Sequence, residues 1–566
     1  MGYFKQLMKV IWLTILMIFL LSCKLQESVV LNNSVSAQAA FDVELSSTVE
    51  DKVSAQSAFE VEESSMVVDT ASVQAVAEKF VKEPSSQEQK VLAQTAAKVE
   101  QSSAVEEAVS AQAASSVGTG TTKMYLPALL QHSSLAVPVD KIFGAQISRN
   151  NAQNSSLLQK ITQAANQANF SWIRHEGLRW YDVEEQQGVR NWPSTLNDTI
   201  ISFNNQGLTP MIIVQGTPSW AQKVKGSFCS AVKEDALDDF ANFMREAVRR
   251  YSVPPYNVTY WEMGNEIDAD PTLVSPNSPF GCWGDQNDAY YGGGYYAEML
   301  KRVYPAIKEA DPNAQVILGG LLLDCDHTNP PQNSADGCLP SKFLEGVLRN
   351  GGGDYFDIMA YHAYMSWGPV ELDWDLLLPK WAHRGGALLG KLDFVEEVLS
   401  KYNVDKPIMM NEGGLLCHPS NAQTCAQLEN DYRDDQANYA IRLYTRTAVN
   451  NLLGSVWYTL DYPGWRDGAL LDENQEPRPA FKAIEFLSSK IKYGNYTQSL
   501  SSGNLEGYEF SSGNQVYQIY WTNDSSTGIV TLPQNAKVYN KLGTDITPSG
   551  SSVIVAFEPI IIEKSN

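Results

Sequence analysis

Residues 261–266 read Trp-Glu-Met-Gly-Asn-Glu, and residues 407–412 read Pro-Ile-Met-Met-Asn-Glu. Each stretch is a run of strand-forming residues that stops at a glutamate, and loop-like sequence follows each glutamate. A residue in this position lies at the carboxyl end of a strand, where barrels and doubly wound sheets place their functional groups. The two stretches therefore predict that Glu266 and Glu412 face the same end of one parallel sheet.

Strand-like and helix-like segments alternate through residues 123–491. Leu237, Phe240, Met244, Val248 and Tyr251 recur at spacings of three and four, which predicts a helix with one buried stripe. A second helix pattern covers residues 295–310 and ends before a proline. The strand candidates are residues 141–148, 170–175, 210–216, 258–266, 315–322, 356–364, 407–412 and 454–461.

Eight strands with intervening helices predict a (β/α)8 TIM barrel of class α/β. An open doubly wound sheet is the alternative, and it is weaker because no glycine-rich phosphate loop follows an early strand. Residues 492–566 change to alternating apolar and polar positions separated by Gly, Asn, Ser and Pro, as in residues 516–521. This last segment predicts a small β-sandwich packed on the barrel.

The first 23 residues are typical of a bacterial lipoprotein signal peptide. Lys5 and Lys9 precede a short apolar stretch over residues 10–21, and residues 20–23 read Leu-Leu-Ser-Cys, which resembles a lipobox. The apolar stretch is shorter than the roughly 20 residues that span a bilayer. We therefore expect an exported protein with a lipid anchor at Cys23. An uncleaved anchor and an ordinary signal peptide are the alternatives.

Residues 24–122 are rich in Ala, Ser, Val, Gln and Glu and contain no Trp or Tyr. The tetrapeptide Val-Ser-Ala-Gln occurs at residues 35–38, 53–56 and 109–112. Because such a segment has little apolar surface to bury, the composition predicts a disordered linker that holds the following domain away from the membrane.

Six cysteines remain when Cys23 is set aside, and an even number suits an oxidising compartment. In one arrangement, Cys325 with Cys338 and Cys417 with Cys425 would each close a short loop, and Cys229 would pair with Cys282. The sequence leaves the connectivity open. The disulfide candidates are Cys229, Cys282, Cys325, Cys338, Cys417 and Cys425.

The net charge of −23 argues against a nucleic-acid partner. It is compatible with a neutral substrate and less so with a polyanion. Residues 324–327 read Asp-Cys-Asp-His, but no zinc or EF-hand spacing surrounds them. The sequence therefore predicts no metal and no cofactor.

The two glutamate stretches resemble the acid/base and nucleophile strands of clan A glycoside hydrolases, which are the fourth and seventh barrel strands. The strand candidates, counted by periodicity alone, also make them the fourth and seventh. Within the clan the chain is most similar to family 39 and its relatives, and the likeness covers nearly the whole barrel. The further matching stretches are residues 216–221, 304–312, 354–357 and 361–364.

The resemblance implies hydrolysis of an O-glycosyl bond in an extracellular β-linked glycan by double displacement, with retention of configuration. Glu412 would be the nucleophile and Glu266 the acid/base, with carboxyl groups about 5–5.5 Å apart. Asn265 would contact the 2-hydroxyl of the carbohydrate substrate. Arg174 would keep Glu412 ionised.

Further candidates for the substrate site come from strand alternation and from the tryptophan content. His362 and Tyr364 share one face of the sixth strand, and His175 follows Arg174. Trp457 lies in the last strand candidate, where the resemblance to clan A implies an aromatic floor for the sugar ring. Trp220 is the next candidate for stacking on a sugar ring, and Trp180 and Trp465 are further ones.

Two other functions compete with a glycosidase. A non-catalytic carbohydrate-binding lipoprotein would keep the barrel as a scaffold, but loss of a glutamate would be expected there and both are present. A serine esterase needs a Gly-x-Ser-x-Gly elbow in a strand-to-helix context, which the sequence lacks.

Overall fold

The computed structural model describes residues 141–565, except 279, 335 and 419–421. The predicted signal peptide, the lipidation site Cys23 and the predicted linker lie outside the described residues. Among the helices that the structure describes, none combines the length and the apolar character needed to cross a bilayer.

Eight parallel strands form one sheet whose order is β5-β4-β3-β2-β1-β8-β7-β6. Bridges between Ile317 and Ile358 and between Leu321 and Tyr361 join the two edges, so the sheet closes into a barrel. The barrel prediction is confirmed, and the alternative of an open doubly wound sheet is wrong. The strands are β1 (Phe143–Gln146), β2 (Trp172–Arg179), β3 (Thr209–Gln215), β4 (Tyr260–Asn265), β5 (Gln315–Gly320), β6 (Met359–Ser366), β7 (Ile408–Leu416) and β8 (Ser455–Trp457).

Helices follow the strands around the outside of the barrel. The predicted stripe that starts at Leu237 is buried along its whole length in α5, and the pattern at residues 295–310 lies within α6. The helices are α1 (Arg149–Ala152), α2 (Ser155–Gln167), α3 (Trp180–Val183), α4 (Ser194–Asn205), α5 (Leu237–Tyr251), α6 (Gly293–Ala310), α7 (Phe343–Arg349), α8 (Pro379–Ala382), α9 (Ala387–Lys401), α10 (Ala422–Gln427), α11 (Glu429–Val449) and α12 (Pro479–Ile491).

The barrel interior is filled by apolar side chains that alternate along the strands with those facing the helices. Because this inner cluster is packed, a ligand has access only at the carboxyl end of the strands. The buried members of the inner cluster are Trp172, Met211, Ile317, Ile358, Ala360, Met409 and Val456.

Seven strands follow the barrel and form two antiparallel sheets, one in the order β13-β15-β11-β10-β9 and one that pairs β12 with β14. Arg442 on α11 donates to the carbonyl oxygen of Phe557 at 2.6 Å, so the barrel and these sheets share a buried boundary. The strands are β9 (Asn495–Ser499), β10 (Leu505–Ser512), β11 (Gln515–Thr522), β12 (Gly528–Thr531), β13 (Lys537–Asn540), β14 (Ser552–Val555) and β15 (Ile560–Ser565).

Three disulfides lie in loops at the carboxyl end of the barrel strands. They join Cys229 to Cys282, Cys325 to Cys338 and Cys417 to Cys425. All six predicted cysteines are therefore paired, and the arrangement that closes two short loops is the one observed. The first disulfide ties the loop after β3 to the loop after β4, which carries Glu266.

Candidate active site

The two glutamates singled out by the sequence meet at the mouth of the barrel. Glu266 directly follows β4, where its φ of 52° turns the chain away from the strand. Glu412 lies within β7, beside a register irregularity between Met410 and Gly413. One carboxylate oxygen of each glutamate and one ring nitrogen of His362 all lie within 4.8 Å of one another.

Arg174 on β2 connects the nucleophile candidate to the neighbouring strands. It pairs with Glu412, and it binds Glu262 with Nε and Nη2 at 2.8 Å each. Its Nη2 also donates to Oδ1 of Asn265 at 2.5 Å. Burial alone would lower the pKa of Arg174, but the carboxylates of Glu262 and Glu412 raise it, so the guanidinium stays charged.

Asn265 and Tyr364 are also in contact with this group. Because the carbonyl oxygen of Asn265 is bound to Arg174, its amide N–H groups are the part that can reach a ligand. The Tyr364 hydroxyl donates to Oε1 of Glu412. Tyr364 therefore contacts Glu412 as the sequence predicts, and Asn265 joins the same group through Arg174.

His362 on β6 lies between the two glutamates. Its Nδ1 is 3.3 Å from Oε1 of Glu266 and 3.8 Å from Oε1 of Glu412. Burial lowers the pKa of His362 to about 4, so the ring is neutral at neutral pH. Lys391 on α9 binds the backbone of this residue, since its Nζ donates to the carbonyl oxygen of His362 at 2.9 Å.

The two carboxyl groups have different surroundings. Burial raises the pKa of Glu266; its contact with His362 opposes this change, and the charge of Glu412 adds to it. Burial also raises the pKa of Glu412, while Arg174 and Tyr364 stabilise the ionised form. When one proton is shared by the pair, Glu412 is therefore the better site for the negative charge and Glu266 the better site for the proton.

Two predicted substrate-binding residues face away from the site. His175 alternates with Arg174, so its ring leaves the barrel and packs edge-on against Phe203 of α4, with Nδ1 3.0 Å from the carbonyl oxygen of Ile147. Trp457 is fully buried and packs against Tyr439 of α11. Both side chains pack toward the helices, so the structure does not bring them to the two glutamates.

The other tryptophans divide between the core and the mouth of the barrel. Trp220 packs edge-on against Trp180 at 5.2 Å and donates to the carbonyl oxygen of Glu184, so the structure does not bring it to the glutamates. Trp180 itself is buried. Trp465 is 39% exposed, and its ring lies 5.3 Å from that of Tyr364. Trp465 is therefore the tryptophan placed to stack on a ligand.

Four further residues of this site were not predicted from the sequence. Glu262 and Gln146 bind Arg174, and Glu176 binds Gln146. Tyr458, next to Trp457, packs edge-on against Tyr364. Glu176 lies inside the pairing irregularity between His175 and Leu178, so strand alternation alone does not place it. Nothing in the sequence marks which of Trp457 and Tyr458 faces inward.

The groups that could ligate a metal are already bound to protein partners. Glu266, His362 and Glu412 are close enough to share a cation, but Glu412 is paired with the guanidinium of Arg174. In the loop at residues 324–327, Asp324 pairs with Lys380, and Asp326 pairs with Arg384. We therefore assign no metal to either group.

No family model and no curated protein matches the chain. Among solved structures, it is similar to a family 39 glycoside hydrolase from the gut symbiont Bacteroides cellulosilyticus WH2, with 19% identity, 75% of this chain and 80% of that chain covered, and a TM-score of 0.55. It is also similar to a conserved exported protein from Bacteroides fragilis, with 12% identity, 75% and 97% covered, and a TM-score of 0.51. At these identities the likeness establishes a shared fold.

Proposed function

We propose that the protein is a retaining glycoside hydrolase that cleaves an extracellular β-linked glycan or glycoside. The observation that carries the proposal is the meeting of Glu266 and Glu412, which have carboxylate oxygens within 4.8 Å of each other at the open end of the barrel. Carboxyl groups about 5–5.5 Å apart suit a covalent intermediate, whereas inverting enzymes need about 6.5–9.5 Å to admit a water. The fold shared with a family 39 glycoside hydrolase also supports the proposal of a glycoside hydrolase.

In the first step Glu412 attacks the anomeric carbon while Glu266 donates its proton to the departing glycosidic oxygen. A glycosyl ester on Glu412 results, and the aglycone leaves as an alcohol. In the second step Glu266, now ionised, removes a proton from water, which attacks the anomeric carbon and releases Glu412. Two inversions give net retention.

The neighbouring residues prepare the two glutamates for these roles. Arg174 and Tyr364 hold Glu412 ionised and fix its two oxygens, one on each partner. Asn265 presents its amide to the sugar 2-hydroxyl, where hydrogen bonds strengthen in the transition state. Trp465 and Tyr458 supply aromatic surface at the mouth, against which the apolar face of a sugar can pack.

The product configuration tests the proposal. An aryl β-glycoside panel of xylosides, glucosides, galactosides and arabinosides would be incubated with the protein, and the first-formed sugar followed by proton NMR before it mutarotates. We expect the β-anomer to appear first for every substrate that is cleaved. Initial release of the α-anomer would contradict retention. Binding of sugars without cleavage of any panel member would favour the non-catalytic carbohydrate-binding protein.

The pH dependence of kcat/KM should be bell-shaped, with both limbs above the pH at which a free glutamate titrates, about 4.3. Burial raises the pKa of both carboxyls. Activity should fall as the pH drops through the pKa of Glu412, because the nucleophile becomes protonated. It should also fall as the pH rises through the pKa of Glu266, because the acid is lost.

The alkaline limb can be assigned with Glu266→Gln and a dinitrophenyl glycoside, whose leaving group needs no proton. The limb should disappear in this variant, while the acid limb remains. An alkaline limb that is unchanged in Glu266→Gln would show that another group supplies the proton.

We also propose that the protein is exported and tethered to a membrane through Cys23. The lipobox-like sequence supports this location. The three disulfides are compatible with it, since they form in oxidising compartments.

A further inference from the structure

Glu176 is a third carboxylate at the mouth of the barrel, and the proposed double displacement does not use it. It lies on β2, and its hydrogen bond to Gln146, which also binds Arg174, places it on the same side of the strand as Arg174, whereas His175 faces the helices. Its side chain is 25% exposed, compared with 9% for Glu412. The side chain of Glu176 is therefore more exposed to solvent than those of the two catalytic candidates.

Gln146 on β1 holds Glu176 in a fixed relation to the nucleophile candidate. The Nε2 of Gln146 donates to Oε1 of Glu176 at 3.1 Å, and its Oε1 accepts from Nη1 of Arg174 at 2.5 Å. The same Nη1 binds Glu412. A chain of hydrogen bonds thus runs from Glu412 through Arg174 and Gln146 to Glu176.

The second oxygen of Glu176 has spare capacity to accept hydrogen bonds. Its contact in the structure is Nη2 of Arg179 at 3.5 Å, too long for a strong hydrogen bond. The charge of Glu176 also acts on two groups at the mouth of the barrel, because it raises the pKa of both Tyr458 and Glu412 beyond the effect of their burial. Glu176 is thus electrostatically close to the position beside Glu412.

We propose that Glu176 is a specificity-determining residue that accepts hydrogen bonds from hydroxyl groups of the sugar unit beside Glu412, and that it selects neutral sugars over uronic acids. This inference rests on the proposed glycosidase function. A carboxylate only accepts hydrogen bonds, and sugar hydroxyls are donors, so the pairing is direct.

The selection against uronic acids follows from the charges around Glu176. A uronate would bring a second carboxylate close to Glu176 and Glu412 in a partly buried site, where like charges repel strongly. The charges of the two neighbouring arginines are already offset, that of Arg174 by Glu262 and Glu412, and that of Arg179 by the carboxylate of Glu176 3.5 Å away. Neither is available to a uronate while Glu176 keeps its charge.

The test compares two aryl β-glycosides that carry the same leaving group. One is the neutral glycoside that the wild type cleaves fastest, and the other is the β-glucuronide. In Glu176→Gln the neutral substrate loses a hydrogen bond to a charged acceptor, and Arg179 becomes free to attract the uronate. We expect the ratio of kcat/KM, neutral over glucuronide, to fall roughly 10- to 100-fold.

Two further variants serve as references. Glu176→Asp keeps the charge but shortens the side chain, so it should slow the neutral substrate and still reject the glucuronide. Glu298→Gln removes a carboxylate from the outer surface of α6, where Glu298 pairs with Lys301, and should leave the ratio unchanged. Because the ratio is measured on one preparation, a partly misfolded sample does not alter it.

The outcomes separate this inference from the function on which it rests. An active wild type whose selectivity is the same in Glu176→Gln, or one that prefers the glucuronide, would overturn the role of Glu176 alone. A wild type that cleaves no member of the glycoside panel would overturn the proposed function, and this inference with it.

Discussion

Glu412→Ala should lower kcat by roughly 10⁴-fold or more, because removal of a covalent nucleophile leaves only binding and the remaining polar groups to accelerate the reaction. The substitution also leaves a small space beside Arg174 and Tyr364, both of which bound the lost carboxylate. Azide can occupy this space and attack the anomeric carbon directly. We expect azide to restore turnover of an activated β-glycoside and to give the α-glycosyl azide.

Glu266→Ala distinguishes the two roles, because its nucleophile is intact. A β-glycoside with a good leaving group should still form the ester on Glu412, and azide should then open it to give the β-glycosyl azide. The exposed Glu298→Ala serves as the control, with activity close to that of the wild type. Glycosyl azides of the opposite configurations in the two variants would mean that the roles are reversed.

Arg446→Met should lower the free energy of unfolding by about 3–5 kcal/mol, because it leaves buried carboxylates without their counter-charge. Arg446 on α11 binds Asp373 at 2.5 Å, Asp375 at 2.6 Å and Glu506 at 2.7 Å. The side chain of Arg446 is 4% exposed, so solvent cannot replace these contacts. Urea unfolding followed by tryptophan fluorescence measures the change.

The matched control is Arg245→Met on α5. Arg245 binds Glu309 at 2.9 Å, but the Glu309 side chain is 56% exposed, so the pair contributes at most about 1 kcal/mol. Equal losses of stability in the two variants would contradict the assignment of a special role to the buried cluster around Arg446.

The positions of the strands were readable from the sequence because buried parallel strands produce apolar runs of a recognisable length. The part of the site that depends on which strand carries a residue could be predicted from the sequence. Glu266 follows β4, and Glu412, Arg174 and Tyr364 lie on β7, β2 and β6. Their residue types and strand positions together were enough to bring them to one end of the barrel.

A shift of one residue in strand pairing moves a side chain to the opposite face of its strand, and the sequence alone does not determine the pairing register. A one-residue difference decides whether Trp457 or Tyr458 faces inward on β8, and it also turns His175 toward α4. Irregularities in pairing reset the alternation, as between His175 and Leu178 on β2. Such shifts arise from contacts between strands that are distant in the chain.

The boundary between α11 and the last seven strands limits how the chain can be shortened. Arg442 is fully buried there, with its guanidinium 4.0 Å from the ring of Phe557 and an N–H on the carbonyl oxygen of that residue. A barrel cut off after Ile491 would present this cation and Arg446 to water on a face rich in aromatic rings. Protein engineers who want a shorter form of the protein should therefore retain the carboxyl-terminal strands.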